Sequence, residues 1–534
     1  QLRAKGLMDY DDQMVYAYTM LRSVPELLRH FQELYPYICV DEAQDTSKIQ
    51  HAIIALLASG SENLFMVGDE DQSIYGFRAA YPEALLTFEK NYPDAKVLLM
   101  EENFRSDARI VLAADRFIQK NTLRHEKHMK AARKPASDIR EISLRSRKAQ
   151  YTYLAKLAEG CTSQTAILYR DNECILPLVD LLERNGIPYQ MRNAELSFFS
   201  HRTILDIINI IKLAQNPMDT EAFLQIYYKI GTYLRKQDAI RIARISEEKR
   251  IPVLDVAAED SDLNGHVLGS VRSMRTHLQN LLQDSGERAI YRIMQFMGYQ
   301  EYLNRSGLSD SKLEILRILG SRADSPMELV ERLEQLKVLI REKEPDRKCP
   351  LILSTIHASK GLEYDSVYLI DVADGILPES IPQNLHQASA EELKAYEEER
   401  RLFYVGVTRA KDHLTLFTTN RPSTFCSEFL GKSSVTEEGR KNLMPVESRI
   451  SRTFKQARPY AAVAGIRQTK ASEELYFRLK EELGTGVIVE HKKYGEGVVT
   501  QLDDRLVHIM FQDDTLRMMD LKILANAGLL KVKK

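Results

Sequence analysis

Two adjacent carboxylates follow a short apolar run near the start of the sequence, where residues 38–47 read ICVDEAQDTS. The run Ile38–Val40 predicts a buried strand, which would deliver Asp41 and Glu42 to the carboxyl edge of a parallel sheet, where open α/β folds bind ligands. There, one carboxylate can hold Mg²⁺ beside phosphate groups while the next accepts a proton from water. The pair alone does not decide this, because two acids after a strand more often form a solvated turn or a helix cap.

Four further blocks combine charged, glycine and aromatic residues. They read VGDEDQSIYGFRAA at 67–80, ENFRS at 102–106, STIHASKGLEY at 354–364 and EERRLFYVGVTRAK at 398–411. Taken singly, each has an ordinary interpretation as a polar loop, a core aromatic or a surface ion pair worth under about 1 kcal/mol. Their joint occurrence in one chain is more informative than any one of them.

The elements that must position these blocks follow from hydrophobic periodicity. Helical spacing over residues 12–34, interrupted by Pro25, predicts two helices before the first strand. The alternation of strand and helix predicts parallel sheets with crossover helices. Further strands are predicted at 64–67, 97–100, 165–169, 187–191, 351–355 and 367–370, with a helix at 174–185 and an almost wholly helical stretch at 216–345.

The five blocks, in this order, resemble the superfamily 1A DNA helicases of the UvrD/PcrA/Rep type. That family has the patterns DE-x-QD, GD-x-DQ-x-IY, NYRS, T-x-H-x-x-KGLE and VA-x-TRA. The resemblance implies an α/β fold with two RecA-like parallel-sheet lobes of the P-loop NTPase type, an all-α insertion and a small C-terminal Tudor-like β-barrel. The implied divisions are 1–100 (remnant of the first accessory subdomain and the C-terminal part of lobe 1A), 101–215 (lobe 2A, first part), 216–347 (helical insertion 2B), 348–430 (lobe 2A, second part), 431–485 (linker) and 486–534 (Tudor-like domain).

ATP and Mg²⁺ are the cofactors that the resemblance implies. The resemblance implies that Asp41 binds the Mg²⁺ ion and that Glu42 is the general base. Gln72 resembles the family's sensor of the γ-phosphate, while Arg105 and Arg409 are similar to the two arginines that reach this phosphate from the second lobe. Such a cation is worth roughly 10³–10⁵ in rate.

Two more residues match the nucleoside end of the family's ATP site. Phe104 stands where the family usually has a Tyr that stacks on the adenine, so the ring is retained and the hydroxyl is lost. Glu363 matches the acid expected at the ribose.

Single-stranded DNA and duplex junctions are the implied partners. Phe77 stands where the family commonly has Trp, and the sequence contains no Trp, so we expect stacking to persist in a weaker form. Stacking is worth roughly 1–3 kcal/mol per base and tolerates any sequence, as a translocating motor requires. The residues that match the family's DNA contacts are Tyr75, Phe77, Arg78, Thr355, His357 and Lys360.

The basic stretch Arg124–Lys134 has two interpretations. Its cations could touch phosphates, although a solvated loop is the more ordinary assignment.

A phosphate-binding loop of the form G-x-x-x-x-G-K-[ST] is expected in such enzymes. The sequence has GK[ST] only at residues 431–433, where Cys426 occupies the upstream glycine position and no predicted strand precedes it. We therefore interpret this match as part of a linker. We expect the sequence to be amino-terminally truncated and the 534-residue chain alone to hydrolyse ATP feebly or not at all.

The composition limits the possible nucleic-acid contacts, membrane spans and cellular compartment of the chain. A net charge of −2 means that any nucleic-acid contacts must come from local clusters of basic residues. The sequence contains no run of about 20 apolar residues, so it predicts no membrane-spanning helix. Five cysteines without a C-x-x-C pair indicate a reducing compartment, for which we predict the cytoplasm.

The expected function is that of an ATP-dependent 3′–5′ DNA helicase or translocase, a hydrolase that unwinds duplex DNA in repair, replication or recombination. Segment 489–497, VEHKKYGEG, resembles the family's Tudor-like tail, for which RNA polymerase or repair proteins are the implied partners. The alternative is a catalytically silent helicase-like scaffold that docks on those partners. A helicase–nuclease subunit of the RecB or AddA kind is a weaker rival, because it would need a nuclease domain after the helicase blocks.

Overall fold

The computed structural model describes residues 5–192, 196–344, 346, 348–385, 387–419 and 423–432. Nearer the carboxyl terminus it describes residues 479, 483, 487–492, 494–502, 506–511, 516–521, 524 and 530–532. The chain forms two compact units, Gln1–Ser434 and Val435–Lys534. Every candidate site residue lies in the first of these units. Within it, we call residues 5–100 the first lobe, residues 101–192 with 348–432 the second lobe, and residues 196–344 the helical block.

The described helices of the first unit are α1 (Tyr10–Ser23), α2 (Pro25–Leu34), α3 (Lys48–Ala58), α4 (Glu83–Leu86), α5 (Phe88–Asn91), α6 (Ala108–Ile118), α7 (Arg147–Ala158), α8 (Leu176–Arg184), α9 (Ser197–Ser200), α10 (Arg202–Gln215), α11 (Thr220–Ile226), α12 (Lys236–Lys249), α13 (Val253–Ala258), α14 (Gly265–Leu281), α15 (Gly286–Phe296), α16 (Tyr299–Ser306), α17 (Ser311–Gly320), α18 (Pro326–Glu342), α19 (Ala390–Val407) and α20 (Thr424–Phe429). Its strands are β1 (Ile38–Val40), β2 (Leu64–Met66), β3 (Glu102–Asn103), β4 (Lys130–Ala131), β5 (Arg140–Leu144), β6 (Thr165–Tyr169), β7 (Gln190–Met191), β8 (Leu351–Thr355), β9 (Tyr364–Leu369) and β10 (Ala410–Thr419). Among the described residues no helix is long and apolar enough to cross a bilayer.

A six-stranded sheet organises the second lobe, in the order β5-β10-β9-β6-β8-β7, with every neighbouring pair parallel. The central strands β6 and β8 are buried along their whole length, as expected for a sheet covered on both faces. Their paired carboxyl ends, Tyr169 and Thr355, point the following loops to one edge of the sheet. The predicted mixed α/β fold with a parallel sheet is thus confirmed, while the assignment of two RecA-like lobes stays a prediction.

The first lobe pairs β1 with β2 in parallel, so that Val40 lies beside Met66 and the loops after both strands emerge together. The two helices predicted before β1 are present and divide at Pro25, because Pro suits the first turn of a helix and disrupts its interior. The predicted strand at 97–100 is wrong. Leu98 and Met100 are 72% and 86% exposed, and the segment has no neighbouring strand to pair with among the described residues.

The helical block stands in the sequence between β7 and β8 of the second-lobe sheet, and its described residues contain no strand. Apolar side chains of α10–α18 belong to the same buried core as one face of that sheet, including Ile204, Leu316 and Leu336 beside Ile167 and Leu353. The block is therefore packed onto the second lobe through a shared hydrophobic core.

The smaller unit contains a five-stranded antiparallel sheet in the order β14-β13-β12-β11-β15, formed by β11 (Ile488–His491), β12 (Gly495–Leu502), β13 (Leu506–Phe511), β14 (Leu516–Asp520) and β15 (Leu530–Val532). Alternate inward residues such as Val489, Val499 and Val507 form its core. Closure into a Tudor-like barrel stays a prediction. Most of the predicted linker at 431–485 lies outside the described residues.

Candidate functional site

The chain turns sharply where β1 ends, and this turn presents the two acids. Glu42 has φ = 50°, a left-handed conformation that is uncommon for a residue with a side chain. The Asp41 carboxylate stabilises the turn by accepting the backbone N–H of Glu42 at 2.9 Å. Both acids are exposed, and a Glu42 oxygen also accepts a hydrogen bond from the Gln44 amide. The strand therefore ends with two carboxylates facing solvent at the edge of the sheet.

Lys360, which follows β8 in the second lobe, reaches across to the first lobe. Its amine lies 2.6 and 2.8 Å from the two oxygens of Asp45, 2.7 Å from the carbonyl oxygen of Gln72 and 3.6 Å from Glu42 Oε2. Burial raises the pKa of Asp45, and Lys360 opposes that shift. Only 7% of the Lys360 side chain is exposed. Its contacts with Asp45, Gln72 and Glu42 join the two lobes. The DNA contact predicted for Lys360 stays a prediction.

Arg409, just after α19, is the most unusual charge of the region because its residue is 2% exposed. The guanidinium donates to the carbonyl oxygens of Val405 (3.0 Å) and Leu362 (3.2 Å) and to Gln72 Oε1 (3.4 Å). No carboxylate of the described residues forms an ion pair with it. Burial and the nearby Arg105 guanidinium lower the pKa of Arg409 to about 10, and the Glu42 charge acts in the opposite direction. A buried cation in this setting favours an incoming anion.

Arg105 and Glu363 form a second, more open part of the same region. Arg105 Nε lies 2.9 Å from Glu363 Oε2, and Lys411 Nζ lies 2.9 Å from the other oxygen. These cations hold the pKa of Glu363 below its ordinary value. The ring of Phe104 is 72% exposed. We call the region bounded by Glu42, Gln72, Arg105 and Arg409 the interlobe cleft.

The donors present fit one side of a magnesium nucleotide. Mg²⁺ prefers carboxylate oxygens and is commonly held by one or two of them together with phosphate and water, which matches the exposed Asp41 and Glu42. Arg409 offers a buried positive charge that no carboxylate of the described residues neutralises. Such a charge suits the binding of a phosphate group. Among the described residues no three His, Cys, Asp or Glu side chains form a self-sufficient metal cage.

The aromatic residues of the second block face a separate cavity of about 950 Å³, which we call the aromatic groove. Tyr75 and Phe77 ring centroids lie 5.9 Å apart, and Phe77 meets the His357 ring edge-on at 5.6 Å. The Tyr75 hydroxyl donates to the carbonyl oxygen of His357 at 3.1 Å, so the two lobes also touch here. Phe77 is 69% exposed, and Arg78 and Thr355 complete the predicted lining.

His357 is neutral in this setting. Burial lowers its pKa to about 4, and the neighbouring cations Arg170 and Arg78 act in the same direction, while a hydrogen bond to the backbone of Ile74 opposes them. The imidazole therefore contributes a ring and not a charge to the groove near neutral pH.

Five carboxylates also line the groove, and the sequence did not identify them as part of it. They are Asp171, Glu173, Glu379, Glu398 and Glu399. Arg170, another unpredicted lining residue, lies 2.8 Å from Glu399, and Glu398 accepts the backbone N–H of Gly76 at 2.8 Å. A signal was available for three of these residues, since Arg170 directly follows the predicted strand 165–169, and Glu398 and Glu399 are the first two residues of the fifth block.

The basic stretch after α6 contains two cations that neither sequence interpretation describes. Arg124 forms a bidentate pair with Asp71, with its closest contact at 2.8 Å, and only 5% of its side chain is exposed. Lys127 Nζ lies 2.6 Å from Asp69, 3.0 Å from Glu70 and 3.3 Å from Asp71. Both cations are thus directed at the acidic first-lobe loop and not at solvent.

The GK[ST] match at 431–433 begins after α20, a helix, and not after a buried strand. Its lysine, Lys432, pairs with Glu141 of β5. These contacts agree with the interpretation that the match is not a phosphate-binding loop.

Comparison with protein-family models matches residues 98–421 to the UvrD-like helicase C-terminal domain, and residues 1–93 to the UvrD/REP helicase N-terminal domain. The chain belongs to the UvrD-like helicase family. The predicted resemblance is confirmed, and the helicase, ATP-binding, DNA-binding and hydrolase terms that it implied are those of this family.

Relatives within the UvrD-like helicases agree. The chain is 31% identical over 433 residues to the putative ATP-dependent DNA helicase YjcD of Bacillus subtilis, covering 78% of this chain and 56% of YjcD. It is 28% identical over 540 residues to the ATP-dependent DNA helicase PcrA of Staphylococcus epidermidis, and 27% identical over 542 residues to PcrA of Staphylococcus aureus. Those alignments cover 95% of this chain and 71% and 72% of the relatives. Relatives that are named helicases do not favour the scaffold alternative.

Proposed function

We propose that the chain is the motor part of an ATP-dependent DNA helicase that moves 3′–5′ along single-stranded DNA. Arg409 carries the proposal. This buried guanidinium, without a carboxylate partner in the described residues, faces Gln72 and acts electrostatically with Glu42 across the two lobes. The relatives' names support ATP-dependent DNA helicase activity, and the direction comes from the family resemblance alone.

The proposed chemistry assigns each side chain of the cleft one task. A bound Mg²⁺ ion would supply positive charge at the phosphates, and Asp41 would hold it. Glu42 would orient the attacking water and take its proton, which is the task of a general base. Arg409 and Arg105 would stabilise the charge that develops on the transferred phosphoryl group. Because the base and the two arginines belong to different lobes, hydrolysis requires the lobes to be together.

The nucleoside and DNA contacts complete the proposal. The exposed ring of Phe104 would stack on adenine, and Glu363 would accept hydrogen bonds from the ribose hydroxyls. Tyr75, Phe77 and His357 would receive successive bases in the aromatic groove. Stacking recognises no particular base, which suits translocation along any sequence.

Partners and location are proposed at a coarser level. The five cysteines form no disulfide, which fits a reducing compartment such as the cytoplasm. Docking of the smaller unit on RNA polymerase or repair proteins comes from resemblance, and co-purification with the unit present or deleted tests it.

The test is ATP turnover by the complete gene product, with and without oligo(dT). We expect single-stranded DNA to stimulate turnover, and Glu42→Gln to lower kcat by about 10²–10⁴-fold because the general base is lost. Glu62→Gln, an exposed first-lobe acid at the turn before β2, is the matched control and should retain wild-type turnover. Turnover that ignores DNA, or that survives Glu42→Gln, would exclude the proposal. Strand displacement from duplexes with a 3′ or a 5′ tail tests the direction.

A further inference from the structure

The acidic loop Asp69–Asp71, which immediately precedes Gln72, is the most heavily paired segment between the lobes. Lys127 contacts all three carboxylates of this loop, and Arg124 contacts Asp71. The Asp71 side chain is 1% exposed and that of Glu70 is 4% exposed. Buried carboxylates at this density require cations to offset their desolvation.

The titration of these groups agrees with that geometry. Burial opposes the charge on Lys127, but Asp69, Asp71 and Glu70 together raise its pKa above the ordinary value. Burial would raise the pKa of Glu70, yet Lys127 and the backbone N–H of His125 hold it below the ordinary value. Lys127 is therefore charged near neutral pH.

The Lys127 contact continues to the interlobe cleft through one carboxylate. Asp69 Oδ1 accepts from Lys127 at 2.6 Å, and Asp69 Oδ2 accepts from Gln72 Nε2 at 2.7 Å. Because the amide nitrogen of Gln72 is engaged in this way, its oxygen is the atom left to face Arg409, at 3.4 Å. An amide side chain can present either end, so its partners decide which atom the site receives.

We propose that Lys127, supported by Arg124, is a positioning residue that fixes the amide of Gln72 and couples DNA binding to ATP hydrolysis. The proposal rests on the proposed function. Lys127 holds Asp69, Asp69 orients Gln72, and Gln72 contacts Arg409, while the same loop continues three residues later to Tyr75 in the aromatic groove. DNA that moves Tyr75 thereby acts on Gln72 through a loop whose other end is held by Lys127.

The experiment compares Lys127→Met with Lys130→Met in the complete gene product. Lys130 lies three residues further along the same segment, is 68% exposed in its side chain and pairs with Glu101, so it is a matched control. We expect Lys127→Met to accelerate hydrogen exchange in residues 69–78 and to reduce the DNA stimulation of ATP turnover by about 5- to 150-fold, the usual range of a coupling between sites. The effect should fall on kcat, with KM for ATP within about twofold of wild type.

Charge-conserving and charge-balanced variants protect the test against misfolding. Lys127→Arg keeps the cation and should recover most of the stimulation. If Lys127→Met does not fold, the double variant Asp69→Asn/Lys127→Met removes one charge of each sign and should show the same faster exchange and lost stimulation. Exchange and stimulation equal to those of Lys130→Met would overturn the proposal, as would a Lys127→Arg variant that is no better than Lys127→Met.

The outcomes separate this proposal from the proposed function. If wild-type protein shows no DNA-stimulated turnover, the proposed function fails. Hydrogen exchange of residues 69–78, which needs no activity, still decides whether Lys127 positions the loop.

Discussion

The interlobe cleft and the aromatic groove meet at one loop, yet they use charge in opposite ways. In the cleft, Arg409 is buried and has no carboxylate partner among the described residues. In the groove, two arginines share the wall with five carboxylates, and Arg170 is paired with three acids. The groove also exposes an aromatic ring at Phe77, which is 69% exposed.

This difference indicates how each region would bind. The cleft is arranged for a concentrated negative charge at one point, because an uncompensated buried cation gains most from an anion. The groove is arranged for flat rings, because acids pair with Arg170 and the Arg78 guanidinium lies over the rings of Tyr75 and Phe77. A phosphate-binding step and a base-stacking step would then respond to different mutations and different solution conditions.

The largest expected effect is at Arg409. Arg409→Ala should lower kcat for ATP by about 10³–10⁵-fold, because it removes the buried cation that stabilises charge in the transition state. Arg105→Ala should cost less, since Arg105 is partly exposed and paired with Glu363. Steady-state turnover measures both. Arg244→Ala in the helical block, with 78% of its side chain exposed, is the control and should match wild type. Equal turnover of the Arg409 and Arg244 variants would remove the contrast on which the comparison depends.

The groove should depend on its rings. Phe77→Ala should weaken binding of oligo(dT) by about 5- to 150-fold, equivalent to the roughly 1–3 kcal/mol of one stacked base. Fluorescence anisotropy of a labelled oligonucleotide measures this. Phe296→Ala removes an aromatic ring that is 51% exposed in the helical block and is the control. Identical affinities of the two variants would show that stacking on Phe77 does not hold DNA.

Salt dependence sharpens the comparison further. With Arg78 as the groove cation that forms no ion pair among the described residues, the slope of log K against log salt for single-stranded DNA should be shallow, about −0.7 for one neutralised phosphate. Titrations between low and moderate salt measure it. A slope several times steeper would mean that phosphate contacts outside the groove dominate binding.

The smallest effect concerns His357 and pH. The pKa of His357 in the folded state is about 4, below the ordinary value of 6.5. As pH falls from 6.5, the unfolded chain takes up this proton before the folded chain does, so His357 lowers the free energy of unfolding between pH 6.5 and pH 4. Thermal unfolding of wild type and His357→Gln over this range measures the contribution. The two proteins should differ in their pH dependence there and not above pH 7, and parallel curves throughout would contradict the assigned neutral state.

Much of the fold followed from periodicity. Strands β1, β6 and β8 begin and end at the predicted residues, and each pairs with a neighbour in the sheet. The run at 97–100 has the same composition and forms no strand, since a strand needs a partner and apolar composition does not supply one. Pairing between distant segments is the property that a local pattern lacks.

The candidate site shows the same limit. The motifs identified Glu42, Gln72 and Arg409, which the structure brings into one cleft. No sequence pattern predicted that Lys360 contacts Asp45 or that Lys127 contacts the acidic loop. Both lysines have the composition of surface cations, and their burial depends on acids more than 50 residues away in the sequence. The chemical roles assigned to the site residues remain predictions that the experiments above test.

The bridge made by Lys360 bears on how the two lobes could part. One amine contacts both oxygens of Asp45 and the carbonyl oxygen of Gln72, so separation of the lobes breaks these contacts together. A partly separated state of the two lobes is therefore not stabilised by these contacts. We therefore expect the two lobes to change between two discrete arrangements and not through a continuous series of intermediates.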